Sequence, residues 1–190
     1  SPNRPLPTEP EEFVMNTATA TLDLQTLNTM SREDFAAAIG STFEHAPWIA
    51  EQAWDARPFD SVEALHAAML GVVRRAPHAV QLDFLCAHPE LAGREAQAGT
   101  MTDDSTREQR SAGLDALTRD ELLEMKRLNG AYRRRHGFPF IIAARRHTKE
   151  QILAELRRRA TADSAAEFVE AIEQIEFITR LRLRALVAAH

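Results

Sequence analysis

Two short stretches of this chain carry the groups that could do chemistry. His88-Pro89-Glu90-Leu91-Ala92-Gly93 is followed closely by Ser105-Thr106-Arg107-Glu108-Gln109. Together they supply an imidazole, a hydroxyl, a carboxylate and a carboxamide, which can orient a small polar ring and move a proton on it. His88 precedes Pro89, so its backbone is biased towards an extended conformation and a helix is expected to end there. Its side chain ordinarily titrates near neutrality, which suits an acid or a base. The plainer reading is an exposed histidine at a helix C-terminus, where it favours the helix dipole. Glu108 stands three residues after Ser105, and this spacing predicts a capping box with Ser105 as N-cap. A helix start also offers free N–H groups to an anion, and Ser105 and Gln109 could add hydrogen bonds. Capping and binding would then compete for the same atoms.

Two arginines near the C-terminus, Arg180 and Arg182, fall within an apolar helical pattern. Each is either reaching to solvent or held for a buried anion. Two residues apart on a helix, they diverge by about 200°, so one of them at most faces a given cavity. His45, His66, His78, His136, His147 and His190 lack the spacing of a metal site, and Cys86-Ala87-His88 alone is poor evidence for zinc. The chain has no glycine-rich phosphate loop, no Gly-x-Ser-x-Gly elbow and no dinucleotide fingerprint.

The elements that must position these groups read as helix after helix. Ser31 can cap a helix bearing Phe35, Ala38, Ile39 and Phe43, and Pro47 suits a first helical position. Ser61 can cap the next, with Val62, Leu65, Met69, Val72 and Val73 on one face; Pro77 interrupts before Val80, Phe84 and Leu85. Thr118-Arg119-Asp120-Glu121 and Thr148-Lys149-Glu150-Gln151 predict two further capping boxes. A long helix over about 163–188 has near-continuous apolar periodicity, which suggests a central place in a bundle. Phe138-Pro139-Phe140-Ile141-Ile142 is the one strand-like run; with an internal proline it predicts a buried extended segment instead of a sheet. Its backbone N–H and C=O groups need partners, and a ligand can be one of them. The expected fold is therefore all-α, a single-domain bundle of about 7–9 helices with one short extended segment.

Composition sets the limits. The chain has 190 residues, 44% of them hydrophobic, enough for one domain with a real core. Pro2, Pro5, Pro7 and Pro10 mark residues 1–29 as a flexible tail, with Met15 read as a natural start and the domain beginning near Met30. A net charge of −5 argues against nucleic acid. Cys86 is the only cysteine, so no disulfide forms within the chain and a reducing compartment is expected. No apolar run approaches a membrane span, no secretory apolar region is present, and the last residues are not a peroxisomal signal. The expected location is the cytoplasm.

Five blocks, in order, resemble the 2-oxo-4-hydroxy-4-carboxy-5-ureidoimidazoline (OHCU) decarboxylase family. They are Phe43-Glu44-His45-Ala46-Pro47-Trp48-Ile49-Ala50; Ala87 to Gly93; Ser105 to Gln109 with Leu114; Leu128-Asn129-Gly130-Ala131-Tyr132 leading to Gly137 through Ile142; and Ile175 to Leu183. The resemblance implies an all-α, dimeric enzyme without cofactor or metal, acting on a small ureidoimidazoline and giving (S)-allantoin and carbon dioxide in urate breakdown. By motif position it implies that His88 is the catalytic histidine and Pro89 its pocket neighbour. Ser105, Glu108 and Gln109 would form the substrate-binding helix start. The backbone of Phe140, Ile141, Ile142, Ala143 and Ala144 would meet the amides of the substrate. Arg182 would be the active-site arginine, with Arg180 in reserve. In the second block, Glu90-Leu91-Ala92-Gly93 stands where members often have a Leu-Gly pair.

Two other readings fit the same residues: a non-catalytic helical binding module in which His88 and Glu108 merely cap, and a lyase or hydrolase acting on a related ureide. Because the chain lacks a ligand cluster of usable spacing, turnover should survive exhaustive dialysis against a chelator. Activity that disappears with chelation and returns with a divalent ion would overturn this.

Overall fold

The computed structural model describes residues 22–188. Ten α-helices follow one another among them. The first group is α1 (Leu24–Thr29), α2 (Arg32–Ile39), α3 (Pro47–Ala53), α4 (Val62–Arg75) and α5 (His78–Cys86). After α5 come the short α6 (Arg94–Ala98), α7 (Asp103–Ser111), α8 (Arg119–His136), α9 (Lys149–Arg159) and α10 (Ser164–Leu186). Among the described residues no strand forms; one isolated parallel bridge joins Asp23 to Ala188. The all-α expectation holds, with more helices than the 7–9 expected because short α1 and α6 are too brief to show a periodicity.

Local signals set most boundaries. The Ser31 side chain accepts from the backbone N–H of Asp34, and that of Ser61 from Ala64. Pro47 occupies the first turn of α3, where its missing N–H costs nothing. Thr148 and Gln151 form the predicted capping box reciprocally. At α8, Thr118 caps as expected, but the Glu121 carboxylate turns to Lys149 at 3.0 Å, so only half the box is made.

The box expected at Ser105 does not form. Thr102 is the N-cap of α7, and its hydroxyl accepts from the N–H of Ser105 at 3.2 Å. Starting the helix three residues earlier places Ser105, Glu108 and Gln109 at i, i+3 and i+4, on one face. The Glu108 side chain is thereby free for a tertiary partner.

The helix α10, about 35 Å long, packs against α4, α8 and the 3-10 turn Gly40–Phe43. α3 packs between α2 and α4, and α8 lies beside α9. The core runs from Leu27, Phe35 and Ile39 through Leu65 and Met69 to Ile152, Leu156 and Ile175, all fully buried. Leu27 belongs to α1, so packed structure begins before the expected boundary near Met30. Ala188 N–H also donates to the Leu22 carbonyl at 2.8 Å, which ties that edge to the end of α10. The proline-rich stretch and Met15 lie outside the described residues.

Phe138 to Ala144 is buried without sheet partners, as the internal proline predicts. Side chains satisfy its backbone instead. Arg159 donates to the Ile141 carbonyl at 3.0 Å, and Gln174 accepts from the Ala143 N–H at 2.9 Å. Arg159 is itself buried, paired with Glu167 at 2.9 Å and stacked over the Phe140 ring; the Tyr132 hydroxyl donates to the same carboxylate at 2.6 Å.

Leu27 separates the tail boundary from the packed one. Truncating it to Ala should cost about 2–5 kcal/mol in denaturant unfolding, the range for a buried leucine. A cost near zero would return residues 22–29 to the tail.

Candidate active site

The groups singled out in the sequence come together at one pocket. Its lining includes His88, Pro89, Ser105, Glu108, Gln109, Phe140, Ile141, Ile142, Ala144 and Arg182, joined by Glu44, Leu91 and Ile178. Its free space is about 360 Å³, counting the open mouth. α7 supplies Ser105, Glu108 and Gln109; α10 supplies Ile178 and Arg182, again four residues apart on one face. The turn after α5 supplies His88, and the extended segment supplies the apolar wall.

Ala143 is the one expected residue that does not line the pocket, because its N–H is committed to Gln174. Arg180 also lies elsewhere: its guanidinium is part-exposed and pairs with Glu176 at 2.6 Å. Gln109 borders the pocket with its amide already engaged. It accepts from the Ala92 N–H at 2.9 Å and approaches the Met101 sulfur at 3.1 Å. This fixes the loop that carries Leu91, and Asn129 holds the same loop by donating to the Leu91 carbonyl at 3.0 Å.

His88 is buried, not an exposed cap. Its ring stands edge-on to Phe84, centroids 5.4 Å apart, and Nδ1 lies 3.5 Å from the Phe84 carbonyl. A carbonyl can only accept, so that contact places the ring proton on Nδ1. Nε2 is then a lone pair, buried and without a hydrogen-bond partner among the described residues. Burial pushes the imidazole down to about 4, with Glu44 opposing and Arg182 adding to the fall. His88 is therefore a neutral acceptor near neutrality.

Opposite lies a buried ionic cluster. Arg182 grips Glu108 through two parallel bonds, Nε to Oε1 at 2.7 Å and Nη2 to Oε2 at 2.8 Å. The same Nη2 lies 2.7 Å from Glu44 Oε1 and 3.3 Å from the Ser105 hydroxyl, while Nη1 donates to the Thr42 carbonyl at 3.3 Å. Burial would lower the pKa of Arg182, but the Glu108 and Glu44 carboxylates raise it further than that, so the charge is permanent. Burial likewise pushes the Glu44 carboxyl up. The Arg182 charge, then His88 and the hydrogen bonds from Ser105 and Arg182, more than offset this and hold it below the ordinary carboxylate range.

Glu44 is the residue that sequence reading passed over. It sits in the Phe43-to-Ala50 block and resembles any surface acid between two helices. Its backbone has φ 56° and ψ −124°, a left-handed conformation that is rare outside glycine and costs on the order of 1–3 kcal/mol. The only available signal was a charge amid Phe43, Ala46, Pro47 and Trp48. Among the described residues no three His, Cys, Asp or Glu side chains converge as a metal site.

A neutral imidazole and a guanidinium held by two carboxylates line one pocket walled by isoleucines, an arrangement that can bind a small polar ligand and exchange a proton with it. Residues 28–184 match the sequence family described as OHCU decarboxylase. The chain is 41% identical over 162 residues to the 2-oxo-4-hydroxy-4-carboxy-5-ureidoimidazoline decarboxylase of Haloferax volcanii, covering 85% of this chain and 94% of that protein. It is 37% identical over 169 residues to the mouse protein of the same name, covering 89% and 95%. Its fold superimposes on a crystal structure of an (S)-allantoin synthase with a TM-score of 0.70 and 29% identity, spanning 88% of this chain and 54% of the other. The chain belongs to the OHCU decarboxylase family.

The depressed imidazole carries a stability consequence. The folded state favours neutral His88 below the ordinary value of 6.5. Its contribution is therefore whole above pH 6.5 and lost as pH falls from there towards 4. By pH 4.5 the loss from this group should reach about 2–3 kcal/mol. His66, pushed by burial to about 4 as well, acts in the same window. Denaturant unfolding from pH 7 to 4.5 should therefore show a shallower loss for His88→Gln than for wild type; equal slopes would remove the assignment.

Proposed function

We propose that this chain is a cofactor-independent decarboxylase that converts 2-oxo-4-hydroxy-4-carboxy-5-ureidoimidazoline to (S)-allantoin and carbon dioxide in urate breakdown. The observation that carries the reading is the buried, unpartnered Nε2 of His88, a residue that lines one pocket with Glu108, Arg182 and Ser105. The relatives' names support the choice of substrate.

The ring carbon that bears both hydroxyl and carboxylate adjoins the ring C=N bond of the imidazoline. When the bond to the carboxylate breaks, its electron pair passes into that C=N, whose nitrogen takes a proton. No external electron sink is needed. Apolar walls from Ile141, Ile142 and Ile178 favour the step because charge spreads as carbon dioxide departs. His88 Nε2 then takes the hydroxyl proton as the carbonyl forms, and the neighbouring carbon gains a proton. Acid–base groups fixed in a chiral pocket return that proton to one face, which makes one enantiomer. Glu108, held by Arg182, orients the polar substituents, and the backbone of the extended segment meets the amides.

The same reading makes the protein a cytoplasmic homodimer. A reducing compartment suits the exposed free thiol of Cys86, and Val80, Leu123 and Val169 are large apolar side chains at the surface open to a partner copy. Among the described residues no helix is long and apolar enough to cross a membrane.

The test adds the protein to urate, uricase and hydroxyisourate hydrolase and follows decay of the intermediate together with allantoin optical activity. Wild type should accelerate decay and give one enantiomer; no acceleration would leave a binding module, and a different product a related ureide enzyme. His88→Ala should fold and lose about 10²–10⁴-fold in turnover.

Arg182→Lys keeps the charge but cannot make the two parallel bonds to Glu108, so kcat/KM should drop by about 10²-fold, whereas Arg180→Lys should be nearly silent. The reverse ranking, or two silent variants, would remove Arg182 from the site.

A further inference from the structure

Glu44 is buried, strained and has no role so far beyond its ion pair with Arg182, yet it lines the pocket. Its partners show what it does. The Ser105 hydroxyl donates to Oε1, the Thr102 hydroxyl donates to Oε2 at 3.0 Å, and Arg182 Nη2 meets Oε1 at 2.7 Å. A carboxylate only accepts, so both hydroxyl protons point at Glu44. A hydroxyl has one donor and two lone pairs. For Ser105 the proton goes to Glu44, and one lone pair receives Arg182 Nη2 at 3.3 Å. The second lone pair is what Ser105 has left to offer the pocket.

Building on the activity proposed above, we propose that Glu44 is a positioning residue: by taking the Ser105 hydroxyl proton it makes Ser105 a hydrogen-bond acceptor towards the pocket, matched to an N–H or O–H of the substrate. A ligand that presents a carbonyl or carboxylate oxygen at that spot meets lone pair against lone pair. A ureido or ring N–H, or the substrate hydroxyl, meets an acceptor of fixed direction. The left-handed backbone at residue 44 fits this role, because that conformation turns the side chain inward from a loop where a glycine would be easier.

Glu44→Gly suits the backbone and deletes Oε1, the one atom that takes both the Ser105 proton and Arg182 Nη2, so the Ser105 proton is released to turn to the pocket. Glu44→Gln, whose amide oxygen can still sit at Oε1 with its NH₂ towards Thr102, should keep most activity. For Glu44→Gly, the kcat/KM for the ureidoimidazoline should fall by about 10- to 100-fold, the size of one mismatched buried hydrogen bond. The deciding readout is a double-mutant cycle with Ser105→Ala, with thermal melting measured alongside. If Glu44 works through Ser105, the double variant should be no worse than the poorer single variant, and the coupling should appear in kcat/KM and not only in Tm.

Additive losses, or a Glu44→Gly enzyme as active as wild type, would overturn the role. Should Glu44→Gly fail to fold, Glu44→Asp, which tolerates a positive φ and draws the carboxylate back from Ser105, enters the same cycle with the same expectation. Active wild type beside an unaffected variant removes only the role of Glu44, whereas inactive wild type removes the decarboxylase reading and this one with it.

Discussion

The guanidinium of Arg182, buried between the carboxylates of Glu44 and Glu108, is the interaction on which the site depends. A buried charge of this kind costs several kcal/mol in lost hydration and is retained only where geometry returns it. Three elements must converge to supply that geometry: α10 for the arginine, α7 for Glu108 and the loop before α3 for Glu44. Apolar side chains of similar size would fill the same volume, often without loss of stability. A chain that keeps the ions there is shaping a pocket more than stabilising a fold.

A second buried ion pair does related work behind another part of the lining. Arg159 and Glu167, with the Tyr132 hydroxyl, stand behind the extended segment, and Arg159 takes the Ile141 carbonyl. Without such a partner an unpaired, buried extended backbone would be untenable. Asn129 and Gln109 serve the His88 loop in the same way, one through the Leu91 carbonyl and the other through the Ala92 N–H. The extended segment and the His88 loop are thus irregular backbone pinned by side chains from rigid helices, and such support keeps a site precise.

The electrostatics of the two walls are complementary. Burial leaves His88 neutral, while the Arg182 cluster stays ionised because its charges satisfy one another. A neutral imidazole and a fixed ionic cluster across a small apolar space would let the proton of the proposed reaction move without the pocket reorganising.

Much of this was legible in the sequence, and the reasons differ by residue. Hydrophobic periodicity and the capping residues Ser31, Ser61 and Thr148 determined the all-helical architecture, because those signals are local and act within one turn. Pro89 determined that a helix ends beside His88, and Pro139 that the apolar run cannot join a sheet. The order of the motifs determined the family. Only the tertiary structure decided that Thr102 caps α7 in place of Ser105, which frees Glu108 for an arginine 74 residues away. It also decided Arg182 over Arg180, since helical spacing shows that the two diverge but not which one faces inward. Glu44 was beyond sequence reading altogether. Its positive φ and its partners on α7 and α10 come from long-range packing, and no local pattern distinguishes a carboxylate that will be buried from one that will meet water.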